Sequence, residues 1–212
     1  MMKNKRLLIA LGSSFVALLL LAGILLYLRT QNDAKANAEA KASVEARLAT
    51  WRSGGGDAFA EQYILGGVEV SEDMRASYNE ACTEMLSLMK YEVSEVVQLE
   101  KGKYSVTVQY QSADIYQKFL EAIESHADQF LKDAKKENYS VKKEKKIVAQ
   151  IQENYLAEVC QLLKDACKSP SYSDVETMDF VVIVNENGEF VTEESQISQF
   201  VVKILNIDEI QD

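Results

Sequence analysis

Hydrophobic residues recur along this chain in two rhythms, and each predicts a different element. In KYSVTVQYQS (103–112), Tyr104, Val106, Val108 and Tyr110 alternate with Ser105, Thr107, Gln109 and Gln111. Strict alternation predicts a half-buried antiparallel strand. The preceding run YEVSEVVQLE (91–100) joins it through Lys101-Gly102. A two-residue turn there sets Leu99 opposite Tyr104, Val97 opposite Val106 and Val93 opposite Tyr110, with Glu95 misplaced opposite Val108. A second hairpin is predicted from VETMDFVVIV, the turn Asn187-Gly188 and GEFVTE. Val181 and Ile183 oppose Phe180, Val182 and Val184 on its first strand, so both faces ask for cover.

The remaining segments follow the helical period. Residues 33–51 are alanine-rich, with Asn32 or Asp33 as cap and Val44, Leu48 and Trp51 on one face. Gly54-Gly55-Gly56 is expected to break this helix as a flexible hinge, since the Lys-Ser/Thr pair of a phosphate loop is missing. A short helix over 57–65 ends at Gly66-Gly67, and Ser71 opens another carrying Ala81, Met85, Leu88 and Met89. Asp114 and Gln117 form a candidate capping box for a helix to about residue 136, with Tyr116, Phe119, Leu120, Ile123, Ala127, Phe130 and Ala134 as its stripe. The helix 143–168 is apolar over more than half its circumference, from Val148 and Ile151 to Leu162 and Leu163, and is expected to be central and buried until Pro170 closes it. A last helix, 194–205, points Ile197, Phe200, Val201 and Leu205 inward.

One segment is apolar all round. Leu7 to Leu28 holds no charge and no proline and lies between Arg6 and Arg29. At 1.5 Å per residue it is long enough for a hydrocarbon core of about 30 Å. The alternative is a cleaved signal peptide, with small residues at Ala34, Ala36 and Ala38, but such apolar regions usually run only about 7–15 residues. The reading is therefore an uncleaved transmembrane anchor. Lys3, Lys5 and Arg6 place its N-terminus in the cytoplasm and the following domain outside the cell.

Charge narrows the function classes. Residues 29–212 hold 20 of the 23 basic residues and all 33 acidic ones, a net of −13. Such a domain repels phosphate backbones, which excludes a general nucleic-acid role. Cys82, Cys160 and Cys167 are too few for a disulfide framework. Cys160 and Cys167 stand roughly 10 Å apart along one helix and cannot bridge. Cys82 can pair with either, or all three are buried free thiols. No metal-ligand spacing occurs, and no cofactor is implied.

Catalytic motifs are missing, GxSxG, HExxH and Walker sequences among them. His126, the chain's single histidine, and an inward carboxylate such as Glu95 are the candidates for an acid or base if the domain is an enzyme. The local charge anomaly is KDAKKENYSVKKEKK (132–146), seven lysines against three acids. It reads as a solvated connection or, through Lys142, Lys143, Lys145 and Lys146, as a contact for an anionic envelope polymer or lipid headgroups.

The element order, the Lys-Gly hairpin with alternating valine and tyrosine, and the Asn-Gly hairpin together resemble a group of uncharacterised extracytoplasmic domains. These occur in lipoproteins and membrane-anchored proteins of Gram-positive bacteria and are similar to the NTF2-like, cystatin-like α+β class. The resemblance covers roughly residues 34–207. This chain lacks their lipobox cysteine, and Phe190 stands where they commonly carry tryptophan. The resemblance implies a fold and a location but no activity. The expected organisation is a cytoplasmic N-terminus (1–6), a transmembrane anchor (7–28), a juxtamembrane helix with glycine hinge (29–56), a helix-rich α+β domain with a small antiparallel sheet built from two hairpins (57–207) and an acidic tail (208–212). The expected function is a non-catalytic binding module, integral to the membrane, for a protein or small-molecule ligand. A small NTF2-like hydrolase or isomerase with a pocket between sheet and helices is the alternative.

Overall fold

In the computed structural model, residues 30–136 and 144–207 are described, with the side chains of 128–152 excepted. Helix α1 spans 30–54 and buries Ala40, Val44 and Leu48 completely. These residues are spaced by four, so they form one apolar stripe. The glycines that follow do not form a hinge. Gly55 and Gly56 are buried, and a Cβ on Gly56 would come within 2.5 Å of the Asn79 carbonyl oxygen. Lack of a side chain here permits the close approach of α2 (Gly56–Phe59) to α3 (Glu72–Ser87). Gly56→Ala should therefore destabilise by about 1–3 kcal/mol through overpacking, read as a lowered denaturation midpoint. A hinge would tolerate the methyl.

After α2 the chain makes one π-helical turn, Ala60–Leu65, and stops at Gly66, whose φ of +55° closes the turn in the left-handed region. Ser71 caps α3 by accepting from the Met74 N–H at 3.3 Å.

Strands β1 (Lys90–Glu100), β2 (Lys103–Gln111), β3 (Glu176–Val184) and β4 (Phe190–Thr192) form one antiparallel sheet in sequential order. Helices α4 (Ile115–Lys136) and α5 (Glu144–Cys167) lie between β2 and β3 in the chain, and α6 (Glu194–Ile204) follows β4. The first hairpin departs from the expected register. Val93 pairs with Val108 and Val96 with Val106, so a bulge absorbs the residue between them. It resolves the mismatch at Glu95, which is exposed, and it reverses the parity beyond it. Val96 now faces the helices, while Val97 and Leu99 face outward.

The second hairpin closes through the loop 185–189. Gly188 has φ +81° and Asn187 has no positive φ, which excludes the two-residue type I′ turn that Asn-Gly suggests. The Asn185 side-chain oxygen instead accepts from the N–H groups of Asn187 (3.0 Å) and Glu189 (2.9 Å).

Among the described residues, only one face of the sheet is covered. Tyr104, Val106, Val108, Tyr110, Phe180 and Val182 are buried there, and Phe200 of α6 sits among them. Its ring meets Tyr91, Tyr110 and Phe180 with centroids at 5.9, 5.3 and 5.5 Å, all edge-on. Helix α5 is less buried than its apolar circumference leads one to expect. Among its described side chains it buries Val159, Cys160, Leu163 and Cys167, one stripe set against α3, where Tyr78 donates to the Leu156 carbonyl at 2.7 Å. Its opposite side carries charge to solvent.

The fold class needs one correction. Among the described residues the domain is α+β with six α-helices and a four-stranded antiparallel sheet, and none of these helices is long and apolar enough to cross a membrane. Helices α4 and α5 have the length, with 22 and 24 residues, but each is interrupted by charges. The expected span Leu7–Leu28 lies outside the described residues. The narrower NTF2-like assignment is not established by this sheet.

Candidate functional site

Two clefts adjoin at the end of the sheet where β2 leaves for α4 and β3 begins. The larger, about 310 Å³, is walled by 112–114, 171–173, Glu176 and Asn206. The smaller, about 230 Å³, runs past Lys90, Glu92, Tyr110 and Val175. Their walls are made by chain segments far apart in sequence. Ser112 and Ser173 exchange hydrogen bonds at 2.9 Å, Ala113 bridges Tyr172, and the Ala113 N–H donates to the Ile204 carbonyl at 2.7 Å. This lacing brings two carboxylates to one place.

Glu176 accepts from the Tyr110 hydroxyl at 3.2 Å and from the Ser112 hydroxyl at 3.4 Å. Burial raises the Tyr110 phenol above its usual range, and the Glu176 charge adds to this. Asp114 accepts from the Ser171 N–H at 2.8 Å and pairs with Lys118 at 3.0 Å. Burial pushes its carboxyl upward, but the hydrogen bonds from Ser171 and Lys118 outweigh that and hold it below the usual value of 3.8.

A depressed carboxylate stabilises the fold above its unfolded pKa and loses that contribution as pH falls through the folded one. The stability gap between the parent and Asp114→Asn should thus be constant above about pH 4 and close below it. Unfolding midpoints measured from pH 2 to 6 test this, and a gap that persists at the acid end would contradict it.

The arrangement offers hydroxyls and carboxylates that already satisfy one another. Carboxylate oxygens of this kind can accept hydrogen bonds from a donor-rich group. No group of three potential metal ligands occurs among the described residues.

The residues singled out by sequence lie elsewhere. His126 Nε2 meets Glu158 at 2.6 Å in a link between α4 and α5, and both side chains are partly exposed. The acid beside the histidine is therefore a surface group. Glu95 is exposed at the bulge, not inward. Lys142 and Lys143 lie outside the described residues, as do the side chains of Lys145 and Lys146. All three cysteines are free and buried, and burial pushes Cys82 and Cys167 up to about 12. Asp114 was legible only as a helix cap, and Glu176 carried no sequence signal, because their partners lie more than fifty residues away.

No family model matches the chain, and no curated protein matches it. Among solved structures, it is similar to a candidate lipoprotein (YcdA) from Bacillus subtilis subsp. subtilis str. 168, with 10% identity and a TM-score of 0.42. The similarity covers 71% of this chain and 44% of that one, so the chain matches less than half of that protein's length. A likeness of this degree assigns neither fold nor activity.

Proposed function

We propose that this domain is an extracytoplasmic, non-catalytic binding module. The observation that carries the reading is the open outer face of the sheet. At its hairpin end Val97, Leu99, Ile183 and Val191 are between 43% and 54% exposed. Ile183 and Val191 are direct cross-strand neighbours, and Val97 lies in the row of Ser105 and Val181. Adjacent apolar side chains left in water on a folded domain mark a surface that another molecule covers.

Export is supported by Lys3, Lys5 and Arg6 standing before the uncharged run 7–28. The lysine-borne contact with anionic polymer or headgroups belongs to the same proposal. The enzyme alternative gains nothing from His126, whose partner Glu158 is half exposed.

A photoreactive amino acid at Leu99 or Ile183 in intact cells, combined with protease added outside, tests the reading. A discrete adduct is expected from both positions and none from the exposed Glu153 on α5. The domain itself should be cleaved by the external protease. Absence of adducts from both face positions would sink the binding reading, and protection from protease would sink its location.

A further inference from the structure

In an antiparallel sheet, the N–H and C=O of one residue point to the same side, and the next residue's point to the other. Along β3 the even residues face β2, as the Val184 N–H shows by donating to Gly102 O at 2.8 Å. Odd residues face the opposite edge. There Asn185 donates to Glu189 O at 2.9 Å, and Ile183 pairs with Val191. Strand β4 then ends at Thr192, yet the next rung is also filled. Val181 N–H donates to Gln196 Oε1 at 2.7 Å, and Gln196 Nε2 donates back to Val181 O at 3.1 Å. The Gln196 carboxamide takes the place of a peptide group of a neighbouring strand. The two following rungs, Asp179 and Thr177, have no hydrogen-bond partner for their backbone groups on this side among the described residues, and both residues are exposed.

We propose that the edge of β3 at Thr177–Asp179 receives an extended, basic segment of a partner polypeptide as an added strand. The proposal rests on the reading of the domain as a binding module and adds the place and the partner's chemistry. Charge selects the occupant. Asp179 lies on this edge, with Oδ1 also accepting from the Thr107 hydroxyl at 2.6 Å, and Asp174 lies beside it, in a chain of net charge −10. A second copy would bring the same carboxylates against one another, whereas lysines of a basic strand would stand beside them. The other edges are less regular or covered. Strand β1 carries two register shifts together with Lys90, Glu92, Glu95 and Glu100, and the outer side of β4 is occupied by α1, whose Ser43 hydroxyl donates to Phe190 O at 2.9 Å.

The test uses the full-length chain and two capped octapeptides, one alternating lysine with valine and one alternating glutamate with valine. The lysine peptide should bind saturably, more weakly as salt rises, and should slow hydrogen exchange at the Thr177 and Asp179 amides. The glutamate peptide should not. Thr177→Pro removes an N–H that faces no partner, so it should fold with an unchanged midpoint and bind the lysine peptide about tenfold more weakly. Met178→Pro removes an N–H directed at β2 and should be strongly destabilised.

Equal binding of both peptides, or exchange protection elsewhere, would overturn the proposal. So would failure of Thr177→Pro to fold, which would mean that its N–H was already paired. A dimer in sedimentation that Thr177→Pro dissolves would make a second copy the occupant and likewise overturn it. Adducts from Leu99 and Ile183 alongside a negative peptide result would leave the binding module standing without this edge site.

Discussion

Phe200→Ala should be among the most damaging single substitutions in this chain, costing about 3–5 kcal/mol of stability. The ring is fully buried beneath the sheet. It meets three aromatic partners from three strands edge-on, and such pairs contribute about 0.5–1.5 kcal/mol each beyond the area they bury. Its removal leaves a cavity bounded by the rings of Tyr91, Tyr110 and Phe180, which are held by the strands that carry them. Chemical denaturation of the purified domain measures the effect. A loss below about 1 kcal/mol would mean that α6 is not seated on the sheet as described.

Leu163→Ala should follow closely, at about 2–5 kcal/mol. Leu163 is fully buried between α5 and its neighbours, whereas the adjacent Leu162 is only partly covered. The two leucines are chemically identical and one position apart, so the pair of alanine variants isolates burial as the variable. Leu162→Ala should cost clearly less, and His126→Ala should cost little, since its contact with Glu158 is a solvent-exposed pair. A reversed order would place the buried face of α5 about 100° away from where it is drawn.

What the sequence disclosed was local. The alternation from Tyr104 to Tyr110, the cap at Ser71 and the inward set Ile197, Phe200 and Val201 can be read because each depends on residues within a few positions of one another. The register of β1 could not be read, because one inserted residue reverses every later side chain, and its only trace was the awkward pairing of Glu95 with Val108. Gly56 read as part of a hinge until Asn79 came against it. The clefts were invisible for a related reason: Tyr110 and Glu176 are 66 residues apart, and nothing near either one announces the other. Gln196 belongs with these, since a glutamine in the first turns of a surface helix reads as solvated until a strand edge lies beside it.

The three thiols between α3 and α5 give the molecule a built-in clock. All three are buried, and burial raises each thiol above its ordinary pKa, which lowers the share of thiolate, the species that reagents attack. Labelling of the native cysteines therefore reports how often the helix pair opens, and it needs no engineered probe. A cysteine introduced on the surface would react long before them. The native protein can carry a dye or a tether at a chosen site with all of its own cysteines in place.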